Sequence, residues 1–93
     1  MILTDKARED FLKWVNLTED MFLCANSERE ITSLTVDWFD STGIIIEIGV
    51  KFVSDIFIFY VNQGTNDEEY STRQEATNKA IELANKIYNE KHK

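Results

Sequence analysis

Few side chains in this sequence can do chemistry, and their types limit what that chemistry is. The one histidine, His92, is the penultimate residue of a 93-residue chain. Chain ends fray, whereas an acid–base histidine has to be held in place. The one cysteine, Cys24, has no disulfide partner and no metal-ligand spacing around it, so it reads as a small buried hydrophobe. Zinc sites of the usual Cys and His types are excluded by count. Glycine-rich phosphate loops, nucleophile elbows and metalloprotease helix motifs do not occur. No catalytic residue, metal or cofactor is therefore expected. The best remaining constellation is carboxylate: Asp37, Asp40 and Glu47 surround one turn signal, where they could hold a divalent cation as in a small nuclease. A solvated strand face is the plainer reading, because the chain would repel a nucleic-acid substrate.

That repulsion follows from 17 Asp and Glu against 10 Lys and Arg, a formal charge of −7. Nucleic-acid affinity rests on cations neutralising phosphates, so direct binding is not expected. With 43% apolar residues and 12% aromatics, the chain can build a core as a single domain, 1–93. Its start meets charge by Asp5 and carries no signal-like apolar run, and no later stretch approaches a membrane span. A lone cysteine suits a reducing compartment, and a cytoplasmic location is expected.

The elements follow from periodicity. Ala7, Phe11, Trp14, Val15, Thr18 and Phe22 form a helical stripe after a cap-like Thr4. Leu17, Met21 and Cys24 step helically toward another side, so either the helix is buried on two faces or, the favoured reading, it breaks near Asn16 and restarts at Thr18-Glu19-Asp20. The stretch from Ala25 to Glu30 reads as a connector. From Ile31 the period changes to two, with Leu34, Val36 and Trp38 alternating against Ser33, Thr35 and Asp37, which predicts a strand ending at Phe39. Asp40-Ser41-Thr42-Gly43 reads as a hairpin turn. Further strands are expected over Ile44–Val53 and Ile56–Val61, with a turn at Ser54-Asp55. Two overlapping capping boxes, Ser71 with Gln74 and Thr72 with Glu75, open a last helix striped by Ala76, Ala80, Leu83, Ala84 and Ile87. The predicted fold class is α+β, in the order α-β-β-β-α: a three-stranded antiparallel meander with helices packed on one face.

Such a sheet would leave apolar side chains on its outer face, and exposed apolar patches mark interfaces. Trp38, Phe39, Phe57 and Phe59 are the partner-binding candidates, with the acidic loop Asp67, Glu68 and Glu69 steering the encounter. The partner is expected to be a protein, and homodimerisation through the sheet is the simpler form of the same idea.

Two resemblances bear on function. The α-β-β-β-α order, with Ser71-Thr72-Arg73-Gln74-Glu75-Ala76 followed by Ala80 and Ala84, resembles the double-stranded-RNA-binding domain. That family uses basic residues at the start of its last helix on phosphates. Here only Arg73 and Lys79 are basic in that region. The segment Val36-Asp37-Trp38-Phe39-Asp40-Ser41-Thr42-Gly43-Ile44 and the tail from Ser71 to Asn89 resemble small uncharacterised proteins of bacteriophages and prophages of Bacteroidetes hosts. That resemblance implies a mobile-element origin. Small acidic phage proteins include anti-CRISPR and anti-restriction inhibitors, which occupy or alter the nucleic-acid channel of a defence enzyme. The expected function is thus a non-enzymatic inhibitor that binds a host nucleic-acid-targeting effector such as a CRISPR nuclease. An RNA-binding module, or a nuclease using Asp37, Asp40 and Glu47, is the alternative.

Overall fold

The computed structural model describes residues 2–50, 56–62, 64–65 and 69–92. Helix α1 (Asp5–Val15) buries Ala7 and Phe11. It stops where the pattern predicts a break: Asn16 adopts a left-handed conformation, φ 59, and the amides of Asn16 and Leu17 donate to the carbonyls of Lys13 and Leu12 at 3.2 and 3.3 Å. This paired bonding satisfies carbonyls that would otherwise be orphaned at the helix end. Helix α2 (Glu19–Ala25) restarts on Thr18, whose Oγ1 accepts the Met21 amide at 3.3 Å. Only Phe22 of α2 is buried, and Cys24, expected inside, is exposed.

The expected order α-β-β-β-α is overturned in the next segment. Residues read as a connector and a first strand form one helix, α3 (Glu28–Thr42). Ser27 Oγ accepts the Glu30 amide at 3.2 Å while Glu30 Oε1 accepts the Ser27 amide at 3.0 Å, a complete capping box. The alternation from Ser33 to Trp38 fits a strand, but the residues turned inward are Ile31, Leu34, Thr35, Trp38 and Phe39, which recur at helical spacing. Thr35 is accommodated inside because its hydroxyl donates to the Ile31 carbonyl at 2.6 Å. Gly43 has the positive φ (92) expected of it, yet it ends a helix and does not turn a hairpin; its amide and that of Ile44 bond Asp40 and Phe39 carbonyls.

The sheet is correspondingly smaller than the expected three-stranded meander. Strands β1 (Ile46–Val50) and β2 (Phe57–Val61) pair antiparallel, with Ile48 opposite Phe59 and Gly49 opposite Ile58. A two-residue strand, β3 (Gly64–Thr65), adds only a stub beside β2, and Tyr70 exchanges backbone hydrogen bonds with Phe57 at 2.8 and 3.0 Å. The expected turn at Ser54-Asp55 lies outside the described residues. The described chain is therefore mainly helical, in the order α-α-α-β-β-β-α.

Helix α4 (Arg73–Lys91) starts on Thr72, whose Oγ1 accepts the Glu75 amide at 3.1 Å. Of the two overlapping boxes, the one on Thr72 sets the helix start. Ala76, Ala80 and Ala84 are fully buried, which lets α4 lie close across β2 and β1. Leu83, predicted on that stripe, points outward. The core closes on aromatic rings: Trp38 lies 5.7 Å from Phe11, 4.8 Å from Phe39 and 4.9 Å from Tyr88, centroid to centroid. It thus joins α1, α3 and α4.

Candidate functional site

The aromatic residues proposed from sequence for partner binding do not form a surface. Trp38 is 3% exposed, and Phe39 and Phe59 are as deeply buried, because α3 turns its aromatic stripe into the core and β2 turns Phe59 toward it. Phe57 is half-buried, with the Arg73 guanidinium 5.4 Å above its ring centroid. Glu69 is exposed, while Asp67 and Glu68 lie outside the described residues.

The carboxylate alternative fares no better. Asp37 and Asp40 are on α3 and Glu47 is on β1, so they do not face one another across a hairpin. Among the described residues no group of three His, Cys, Asp or Glu side chains is placed to hold a metal ion. The RNA-binding alternative loses its topology, since three helices precede the sheet.

What the structure does bring together lies elsewhere. Along the joint of α1 and α4, Asn85 Oδ1 accepts the Thr4 amide at 2.9 Å and Asn89 Oδ1 accepts the Ala7 amide at 2.8 Å. Their amide nitrogens donate back to Thr4 Oγ1 and to the Thr4 carbonyl at 3.0 and 3.1 Å. Thr4 does not cap its own helix; two asparagines one turn apart on α4 do so. Between the two residues they bond lies Asp5, whose φ of 51 is uncommon for a side-chain-bearing residue.

One turn further along α1, the Tyr88 hydroxyl donates to Asp10 Oδ2 at 2.5 Å, and Lys6 reaches Asp10 Oδ1 at 3.2 Å. The Tyr88 hydrogen bond, supported by Lys6, holds the Asp10 carboxyl below its usual pKa. Burial, and then the hydrogen bond and negative charge of Asp10, push Tyr88 up to about 12. The two shifts define a pH window. Asp10 stabilises the fold above the ordinary carboxyl value of ~3.9, and its contribution is lost as pH falls through its lowered folded value. Tyr88 stabilises it below its ordinary value of ~10, and that contribution is lost as pH rises through the folded value. Tyr88→Phe is therefore expected to return the Asp10 titration toward normal in carboxyl NMR and to remove the Tyr88 share of the alkaline fall in melting temperature.

The surface holds two further features. Between α1 and α2 an open groove of about 540 Å³ is lined by Leu12, Leu17 and Met21, with Glu9, Lys13 and Asn16 around it. Met21 is 58% exposed, and its backbone is fixed by the Thr18 cap. The sequence holds a signal for this groove in the second helical set, Leu17 and Met21, which points away from the main stripe. On the other side, a polar groove of about 440 Å³ between α3, β1 and α4 collects Arg29, Arg73, Ser33, Asp37 and Ile48. Its mixed charges favour no single ligand class. Apart from the groove residues, Trp14 stands 47% exposed beside Phe11.

The chain matches no protein-family model, no curated protein and no solved structure. Among the described residues no helix is long and apolar enough to cross a membrane.

Proposed function

We propose that this domain is a non-enzymatic acidic binding protein that docks on the basic surface of a protein partner through the groove between α1 and α2. The observation that carries the reading is an apolar groove with an exposed methionine on a chain of net charge −7. Methionine is unbranched and polarizable, so it adapts to a partner's contours, and a few well-packed anchors dominate interface energetics. The negative charge attracts a basic surface over a distance of about a Debye length, roughly 8 Å at physiological salt. Affinity then comes from Leu12, Leu17 and Met21, and encounter rate from the acids.

The finer form of the proposal is a phage-encoded inhibitor of anti-CRISPR type, acting in the host cytoplasm on a nucleic-acid-targeting effector. Two things support it: the resemblance of the Val36–Ile44 segment and the Ser71–Asn89 tail to phage proteins, and the fact that nucleic-acid channels are basic. The test is cleavage by guide-loaded CRISPR nucleases in the presence of excess chain. Inhibition is expected, and Met21→Glu should weaken it by about 30-fold while leaving the fold intact, because the side chain is largely in water. Cleavage unaffected by the wild-type chain, or equal inhibition by Met21→Glu, contradicts the reading.

A further inference from the structure

The outer edge of β1 is unpaired among the described residues. Strand order is β1-β2-β3, so β1 is a terminal strand. The Asn62 amide donates to the Ile45 carbonyl at 2.8 Å, which sets the parity of the ladder. Backbone groups of Ile45, Glu47 and Gly49 turn toward β2, and those of Ile46, Ile48 and Val50 turn away from it. No described backbone group bonds this second set. Edges of this kind template pairing with another strand, and proteins usually blunt them with lysine, proline or bulges. The chain contains no proline, and β1 carries one charge, Glu47. Val50 is 55% exposed, and the open groove between α3 and β1 leaves space beside Ile48.

We infer that β1 pairs antiparallel with β1 of a second copy, centred on Ile48, so that two sheets join into one. The register follows from parity, charge and length. Only registers that set outward-facing residues opposite one another make hydrogen bonds, which limits the choice to slips of two residues. Centring on Glu47 would set two carboxylates directly opposite, a destabilising arrangement. Centring on Gly49 would pair only three of the five described residues of β1 with their counterparts, 48 with 50 and 49 with 49. Centring on Ile48 pairs all five residues: Ile46 with Val50 of the second copy, Ile48 with Ile48, and Glu47 with Gly49. The outward amides and carbonyls are then satisfied, Val50 is covered by a branched aliphatic neighbour, and each Glu47 lies across from a residue with no side chain to oppose it.

Gly49 supplies the test. A Cβ there would meet Tyr60 and Ile58 side-chain atoms at 3.5 and 3.6 Å, ordinary van der Waals distances, so substitution is sterically permitted. Gly49→Lys places an ammonium opposite Glu47 of the second copy, twice by symmetry; Gly49→Glu places a carboxylate there. Both variants disturb the strand alike, so a folding effect moves them in the same direction. Sedimentation under reducing conditions, which keeps Cys24 from bridging copies, is expected to show a concentration-dependent dimer. Its dissociation constant should fall about fivefold in Gly49→Lys and rise about fivefold in Gly49→Glu. In a Cys24→Ser background, Ile48→Cys should be joined into a covalent dimer by a short bismaleimide, each thiol adding across one maleimide double bond, since opposed hydrogen-bonded residues sit about 5.5 Å apart at Cα. A chain that stays monomeric to millimolar concentration overturns the inference. Equal shifts in the two Gly49 variants, or failure of the Ile48→Cys variant to crosslink, overturn it as well.

Discussion

Replacing Trp38 by alanine is expected to remove about 3–5 kcal/mol of stability, a large share of the roughly 5–15 kcal/mol available to a domain of this size. The side chain is almost wholly buried and touches rings from three helices: Phe11 of α1, Phe39 of α3 and Tyr88 of α4. No backbone shift on one element can refill that space, so both apolar burial and packing are lost. Urea unfolding monitored by circular dichroism gives the number directly. Trp14→Ala is the control: its ring is about half in water, so a change below roughly 1 kcal/mol is expected. If Trp38 were a surface anchor, the ranking would be reversed, with Trp38→Ala folding normally and failing only to bind.

The second large effect is expected from Asn89→Ala, at about 2 kcal/mol, because it leaves the amide of the fully buried Ala7 without its acceptor and the Thr4 carbonyl without its side-chain donor. Thr4 offers no substitute, since its hydroxyl faces α4 and makes no cap bond to its own helix. Hydrogen exchange should show the first turn of α1 losing protection while α3 keeps its own. Asn85→Ala alone should cost less, because among the described residues the Asn85 side chain bonds only Thr4 and its neighbour Asn89. The pair share Thr4, so the double variant is expected to fall short of the sum of the singles. Because α1 forms one wall of the groove proposed for partner binding, the same substitution should weaken binding through a loosened wall.

Features coded within a few residues of one another are legible in the sequence. The break at Asn16 depends on backbone bonds to carbonyls three and five residues back, the restart at Thr18 and the cap at Thr72 on one hydroxyl and an amide three residues on, and each is where the favoured pattern places it. The segment from Ser27 to Gly43 misleads because its branched and hydroxyl residues suit a pleated strand, and because Gly43 suits either a hairpin or a helix end. What decides it is non-local: Trp38 and Phe39 need rings from α1 and α4, and only a helix turns both inward with Thr35 and Ile31. The same ambiguity displaces the candidate site. With α3 taken as a strand, its aromatics have an outer face to occupy; as a helix they fill the core, and the most exposed large apolar side chains are others, Met21 and Val50. The Asn85–Asn89 clasp is invisible in the sequence because its partners stand 81 and 82 residues away in the chain.

A domain that grips a nucleic-acid-handling protein, as proposed, must compete for that protein's basic surface. Equilibrium competition measures it most directly, with labelled chain, guide-loaded effector and the effector's own nucleic-acid substrate as displacer. Mutual displacement is expected, with binding that weakens as salt rises and that is about 30-fold weaker in Met21→Glu. A ternary complex in which chain and nucleic acid ignore one another, or direct binding of the chain to duplex RNA, would contradict it.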